Sequence, residues 1–273
     1  MKRTLKASWA LFKIRTIEDM QYRLAALSGA VTSLVWALVE AACFTAFFEY
    51  ADNAGIAGGL TLVQTVSHVW VRELLLFLQP FSIDNDLLNK IDQGGIGVEL
   101  CRPLDLYWHW FSHSAAGKIV IFVMRCIPCF LVGFLMPGGF NARLPVSIGA
   151  FALFIPPAMC AFLLCMSYQM LVTAVRVNLS WGNGPMYMLL VLAQVLSGGY
   201  LPLQLWPDFM QRFLLYQPFA GICDIPARLY IGSMPLNQAW FGMAVQLFWS
   251  VIFILLGKFI MKRKLRTVTL QGG

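Results

Sequence analysis

The sequence predicts an all-α polytopic membrane protein with six transmembrane helices, an N-terminal amphipathic interfacial helix and a re-entrant outer hairpin before the last helix. Of its 273 residues, 59% are hydrophobic and 12% are charged, against about 45–50% and about 25% in soluble domains. Apolar stretches of about 20 residues, the length of a membrane-crossing helix, recur along the chain. The basic residues behind the net charge of +7 gather at the ends and beside these stretches, which does not indicate nucleic-acid binding.

The whole chain, residues 1–273, is expected to form a single transmembrane domain. Residues 1–22 place apolar side chains at helical spacing, with most Lys and Arg side chains off that face. This pattern is typical of a helix in the membrane interface, and a targeting tail is the alternative. The first two spans fall within 24–80, spans three to five within 112–201, and the last span and a basic tail within 239–273.

The distribution of basic residues predicts the orientation of the chain. The spans are predicted to cover residues 24–48, 60–80, 115–136, 145–175, 186–201 and 240–260. Because six spans return the chain to its starting side, both termini share one side, and most basic residues lie there: Lys2, Arg3, Lys6, Lys13, Arg15, Arg23, Lys90, Arg102, Arg176, Lys262, Arg263, Lys264 and Arg266, against Arg143, Arg212 and Arg228. The positive-inside rule therefore predicts a multi-pass protein of the cytoplasmic (inner) membrane with both termini in the cytoplasm.

The longest polar interval between two apolar spans is residues 82–111. It contains a Gly94-Gly95 break and an Arg102-Pro103 stop, and its ends are compatible with helices. This interval must emerge from the membrane, and it lacks the residue pattern of an active site. We interpret it as a cytoplasmic docking surface for a separate protein.

Arg125 lies about ten residues into the third span. A lone charge at that depth costs at least about 2.5–3.5 kcal/mol on insertion scales, so a partner is expected. The candidates are Glu73 and Glu40, which also fall inside predicted spans. Such a pair would be either structural or a contact for the substrate. Lys118 lies nearer the cytoplasmic end of the span, from which its side chain can reach the headgroups.

Residues 202–238 contain prolines at 202, 207, 218, 226 and 235 together with many aromatic residues. Helical pieces are predicted at 208–216 and 221–230, and each is too short to span. A hairpin that dips into the outer leaflet fits both the short helices and the apolar composition, and an amphipathic surface loop is the alternative. The predicted outer gate residues are Pro202, Pro207, Phe213, Pro218 and Phe219; the alternative to a gate is a static cap.

No catalytic or metal-binding pattern is found in the sequence. GxxxxGK[ST], HExxH and GxSxG are absent, and the three histidines do not form a metal pattern. The Cys126-x-x-Cys129 pair lies in an apolar span beside Pro128, where cysteine is a packing residue, and there is no second cluster for zinc. We therefore expect no enzymatic activity, no metal and no cofactor in this chain.

Several segments, taken in order along the six spans, resemble membrane subunits of the type-2 ABC exporter family. These are residues 91–103 (IDQGGIGVELCRP), 197–207 (SGGYLP through WP), 217–219 (QPF), 225–226 (IP) and 271–273 (QGG). The resemblance extends over essentially the whole chain. No single segment is as diagnostic as a phosphate-binding loop, so the resemblance depends on their order.

The resemblance implies a permease subunit of an ATP-driven exporter, paired with a second permease subunit that is either the same chain or a paralogue. Cytoplasmic ATPase subunits would hold ATP and Mg, and the loop 82–111 would be the coupling helix seated in them. Gly94, Gly95, Glu99, Arg102 and Pro103 are its candidate coupling residues, and headgroup anchoring is the alternative for Arg102. The composition favours an amphipathic or hydrophobic substrate. A channel or secondary transporter, and an integral membrane enzyme or assembly factor, remain alternatives.

Overall fold

The computed structural model describes residues 2–50, 56–57, 59–80, 83–101, 105–145, 148–178 and 182–265. Most of them are helical. The helices are α1 (Lys2–Gln21), α2 (Arg23–Tyr50), α3 (Leu62–Leu74), α4 (Asn85–Asp92), α5 (Ile96–Leu100), α6 (Leu106–Ile121), α7 (Ile127–Gly133), α8 (Ile148–Asn178), α9 (Gly184–Leu196), α10 (Asp208–Tyr216), α11 (Asp224–Tyr230) and α12 (Leu236–Leu265). Two short strands, β1 (Ile56–Ala57) and β2 (Leu60–Thr61), form an antiparallel hairpin that was not predicted.

Within the described ranges, four helical segments are long and apolar enough to cross a membrane: Arg23–Tyr50, Leu106–Gly133, Phe151–Val177 and Asn237–Leu265. They correspond to the first, third, fourth and sixth predicted spans. The second and fifth are shorter, since α3 and α9 have 13 residues each. Such a helix is about 20 Å long, less than the hydrocarbon core of about 30 Å. The chain is thus an all-α membrane protein, and the count of six spans stays a prediction.

The third spanning helix begins earlier than predicted and contains an irregular turn. Asp105 caps α6 by accepting a hydrogen bond from the Trp108 backbone N–H at 3.2 Å, so the helix starts at Leu106. A π-helical turn, Phe122–Cys126, joins α6 to α7. Pro128 follows this turn and has no N–H to donate to the carbonyl four residues earlier, so the regular α-helical ladder is interrupted there.

The long helices α8 and α12 pack along each other and form the main scaffold. Around them lies the largest buried cluster, which includes Trp110, Leu164 and Phe253. A second cluster surrounds Trp70 where α2, α3 and α7 meet, and the Trp70 indole N–H donates to the Phe140 carbonyl at 2.8 Å. Helix α1 lies against α6. These contacts fix the helices that bear the polar residues described next.

Candidate functional site

A cluster of charged side chains lies between α2, α3 and the segment after α9. Arg72 is 8% exposed and pairs with Glu40 of α2 and with Glu73, whose carboxylate it reaches at 2.7 Å. Its other terminal nitrogen donates to the Gly199 carbonyl at 2.9 Å. The guanidinium therefore joins three segments of the chain, and both acidic groups have a cation beside them.

Arg125 does not make the direct ion pair that was predicted. Among the described residues, its Nε donates to the Ser33 hydroxyl at 2.9 Å, and that hydroxyl lies close to the Glu73 carboxylate. Arg125 is close enough to act on Glu73 electrostatically. The prediction of a direct pair with Glu73 or Glu40 failed because Arg72 occupies both carboxylates.

Two cavities meet at this cluster. The first, about 580 Å³, lies between α1, α2 and α6 and is lined by Arg15, Asp19, Lys118, Arg125 and Gln79, among other residues. The second, about 520 Å³, is bordered by Glu40, Arg72 and Glu73 and extends to Gly199 and Tyr200. Leu76, Gln79 and Arg125 line both cavities. Together they trace a path along α2 in which a few charged and polar side chains lie in a mostly apolar lining.

The predicted coupling segment forms two short helices, α4 and α5, joined by a tight turn. Gly94 has a φ of +73°, in the left-handed region that favours glycine, and Gly95 follows it. The turn ends α4 after Asp92 and lets α5 start at Ile96. Of the other three predicted residues, Arg102 and Pro103 lie outside the described residues.

Glu99 lies inside this segment and is only 7% exposed. Its carboxylate is 3.1 Å from Lys90 Nζ of α4 and 3.0 Å from His109 Nε2 of α6. A buried carboxylate with these partners holds the two short helices against α6. The expectation that Glu99 makes a charged contact at the surface is therefore not supported by its position.

Both ends of α4 are held by arginines from other helices. At its start, Arg15 of α1 pairs with Asp86 and lies 3.6 Å from Asp84. At its end, Arg176 of α8 pairs with Asp92. Burial acts to raise the pKa of Asp84, but a hydrogen bond from His113 and the charges of His113 and Arg15 outweigh it and hold that pKa below its ordinary value. The segment is thus fixed to α1, α6 and α8 as one unit.

The exposed surface of this segment is partly apolar. Val98 is 69% exposed and Leu100 41% exposed, whereas Leu87 and Leu88 are buried in the core. The exposed apolar side chains of the segment are thus on α5, and its buried leucines are on α4. Such a rigid segment with an exposed apolar end has the form of a docking element.

The predicted outer gate residues do not converge on one point. Phe219 is half-buried, with its ring 5.0 Å from that of Tyr168 on α8, whereas Phe213 is 69% exposed. Pro202 is buried, Pro207 exposed and Pro218 half-buried. Asp224, fully buried, accepts from the Leu203 backbone N–H at 3.2 Å and lies 3.4 Å from Arg228. The contact with Leu203 connects α11 with the chain before α10, and the contact with Arg228 lies within α11 itself.

Sequence analysis missed the residues that organise these contacts. Arg72 falls inside the predicted second span, and its position beside Glu73 was a signal of pairing. Arg15 and Arg176 were counted only as basic residues for orientation, and Ser33 carried no signal because a lone serine is common in apolar helices. Their roles depend on which helices lie side by side.

These features define a multi-pass membrane protein with a buried charged cluster and a pair of short helices packed against α1, α6 and α8. The model of the ABC-2 family transporter proteins matches residues 37–272, so the chain belongs to the ABC-2 transporter family. Membership supports the role of a permease subunit of an ABC transporter and implies association with an ABC ATPase and the membrane. No curated protein and no solved structure showed significant similarity to the chain.

Proposed function

We propose that this chain is the permease subunit of an ATP-driven exporter that moves an amphipathic or hydrophobic substrate across the cytoplasmic membrane. A separate cytoplasmic ATPase binds and hydrolyses ATP with Mg, and a second permease subunit, identical or paralogous, completes the pathway. The chain itself supplies the path and the coupling element. The observation that supports this proposal best is the construction of α4 and α5.

A coupling element must transmit force and not absorb it. The α4–α5 unit meets this need because Arg15, Arg176 and His109 fix it to three different helices. Displacement of α5 by an ATPase would therefore move α1, α6 and α8 together. The exposed Val98 and Leu100 side chains would contact the ATPase, since an exposed apolar surface rimmed by polar residues is typical of an interaction site.

In the proposed topology the chain crosses the membrane six times, with both termini and α4–α5 in the cytoplasm. The short helices α3 and α9 complete their crossings through the turns that follow them. In α3 this is the 3₁₀ turn Leu76–Leu78. Irregular backbone at membrane depth is tolerated where protein buries it, and Leu78, Gln79 and Ser197 are all buried.

The segment 202–238 is proposed as a re-entrant hairpin that closes the pathway from the outside. Gln246 supports this depth, because it donates to the Gly221 carbonyl at 2.7 Å and to the Pro157 carbonyl at 3.1 Å. Gln246 lies ten residues after the start of α12, or about 15 Å along the helix axis, which is half the hydrocarbon core.

The test is to purify the tagged full-length chain from the membranes of its own cells and identify its partners by mass spectrometry. We expect a protein with the GxxxxGK[ST] motif that hydrolyses ATP in the complex. Val98→Asp and Leu100→Asp should each lower its recovery by about tenfold, because the contact would then desolvate an unpaired carboxylate. The matched control is Leu135→Asp, which changes a leucine that is 80% exposed after α7.

Recovery of the permease with no ATPase in the wild-type sample would contradict the proposal and favour a channel, a secondary transporter or an assembly factor. Equal losses in Leu135→Asp and Val98→Asp would refute the assignment of α5 as the contact. Export direction is then measured in sealed vesicles that contain the complex, with ATP supplied on one side.

A further inference from the structure

Two basic side chains in the first cavity have no carboxylate of their own. Lys118 donates to the Phe77 and Gln79 carbonyls at 2.8 and 3.3 Å, and Arg125 donates to Ser33 at 2.9 Å. Within the described part of the chain, neither has a carboxylate oxygen within 4.0 Å. Backbone carbonyls and a hydroxyl orient these cations, and Glu73, which already pairs with Arg72, compensates the charge of Arg125 only from a distance.

The charges around the cavities are unevenly distributed. The first cavity is lined by three cations (Arg15, Lys118 and Arg125) and two carboxylates (Asp19 and Asp84). Arg15 pairs with both of these carboxylates, and in the second cavity Arg72 pairs with Glu40 and Glu73. Lys118 and Arg125 are thus the cations of the first cavity that lack an ion pair with a described residue, and an unpaired charge in a membrane is costly.

Gln79 provides an independent sign of a missing partner. It is 2% exposed and lines both cavities, yet its Nε2 makes no hydrogen bond with any described residue. Its Oε1 accepts from Gln194 at 3.5 Å. A buried amide N–H without a partner is rare in native structures, so a ligand acceptor beside Gln79 would satisfy it.

Part of the wall of the first cavity is apolar. Ala25 and Ala26 of α2 face Val120, Ile121 and Met124 of the third spanning helix across it. Gly29 leaves room for Arg125: a Cβ there would lie 3.3 Å from Arg125 Cδ. An occupant therefore needs an anionic group for the cations and an apolar part for these walls.

We propose that the first cavity binds an anionic amphiphile, with its phosphate or carboxylate beside Lys118, Arg125 and Gln79 and its apolar chain between α2 and the third spanning helix. That this ligand is the exported substrate rests on the proposed function. The binding itself does not, since every group named belongs to this chain alone.

The test measures lipid binding to the purified chain without any ATPase, by native mass spectrometry in mild detergent. The probes are phosphatidylglycerol and phosphatidylcholine with identical acyl chains. We expect the anionic lipid to bind about tenfold more tightly, as one charged hydrogen bond predicts. Arg125→Gln and Lys118→Gln should each remove most of this preference.

Lys258→Gln is the matched control, because Lys258 is also a half-buried lysine of a spanning helix but lies over the Trp108 ring, 4.4 Å from its centroid, away from both cavities. The preference of the Lys258→Gln variant for the anionic lipid should stay within about twofold of the wild-type preference. Gly29→Val fills the cavity without changing a charge and should also weaken lipid binding. Because it keeps Arg125, it tests the site independently of any misfolding of Arg125→Gln.

Equal binding of the two lipids, or equal losses in Lys258→Gln and Lys118→Gln, would overturn the inference. Displacement of the lipid by millimolar inorganic phosphate would also overturn it, because the site would then recognise a free anion. If the chain binds the anionic lipid selectively but no ATPase co-purifies with it, the proposed function is refuted and this inference stands.

Discussion

Glu99 and His109 are joined by a 3.0 Å contact between a carboxylate oxygen and the imidazole Nε2, both nearly buried. This contact fastens α5 to the start of the third spanning helix. The coupling element is therefore held from within by Glu99, and its outer surface is formed by neighbouring residues. The first prediction concerns this contact.

Glu99→Gln should uncouple ATP hydrolysis from transport while the chain still inserts into the membrane. The substitution removes the charge that holds Lys90 and His109, and the loss of a charged hydrogen bond costs about 1.5–3 kcal/mol. We expect a lower melting temperature for the purified chain and loss of substrate-stimulated ATPase activity. Lys90→Gln, which changes a more exposed partner of the same carboxylate, should have a smaller effect. Unchanged coupling in Glu99→Gln would argue against a structural link through this residue.

The ion pair between Arg176 and Asp92 should tolerate an exchange of its two charges. Asp92→Arg places two cations together, and we expect it to weaken transport severalfold. The double variant Asp92→Arg with Arg176→Asp restores opposite charges and should recover part of the loss, as coupled residues do. Transport assays in sealed vesicles measure the loss in Asp92→Arg and the recovery in the double variant. If the losses of the two single variants simply add, α4 does not depend on α8 for its position.

Ser33, Glu73 and Arg125 should behave as one unit in a double-mutant cycle. Arg125→Gln and Glu73→Gln should each lower thermal stability in nanodiscs, and their combination should cost less than the sum by about 0.5–3 kcal/mol. Ser33→Ala should weaken the coupling between the other two, because its hydroxyl lies between them. The nearby Thr32→Ala, which loses only a bond to its own helix at the Ser28 carbonyl, is the control. Strictly additive effects of Arg125→Gln and Glu73→Gln would contradict the indirect link.

Acid should release α1 from α4 only at low pH. The pKa of Asp84 is held below its ordinary value of 3.8, so its contribution is present above that pH and is lost as pH falls through the folded-state pKa. Burial raises the pKa of Asp19, although Arg15 opposes this, so its protonation on acidification relieves an unfavourable buried charge. We therefore expect the distance between spin labels on Glu18→Cys and Asn89→Cys to be constant down to roughly pH 4 and then to increase.

In that experiment Asp84→Asn should already show the longer distance at neutral pH, whereas Asp19→Asn should keep the low-pH transition. Release of α1 between pH 7 and 5 in the wild type would contradict the part assigned to Asp84.

The outer segment should show a graded pattern of thiol labelling. A membrane-impermeant reagent should label Phe213→Cys readily and Phe219→Cys poorly, because the Phe219 ring packs against Tyr168 and Phe253. The background should lack the native cysteines, among which Cys223 is buried and Cys43 and Cys101 are exposed. Equal labelling of all positions from 208 to 230 would indicate a solvated loop and refute the hairpin and gate.

The sequence by itself determined the membrane class, the long first, third, fourth and sixth helices, the α10 helix and the break at Gly94. These features follow from composition, apolar run length, proline positions and glycine conformation, all of which act locally. The family resemblance could be recognised for the same reason, because it depends on segments in order and not on contacts.

Tertiary structure alone decided which charges meet. Arg125 and Glu73 are separated by many residues and could be proposed as partners by depth, but Arg72 is nearer to both Glu73 and Glu40 once α2 and α3 pack together. The inward direction of Glu99 likewise follows from the placement of α5 against α6. A charged side chain pairs with the group that the packed helices bring within a few ångströms, and a one-dimensional pattern does not contain that distance.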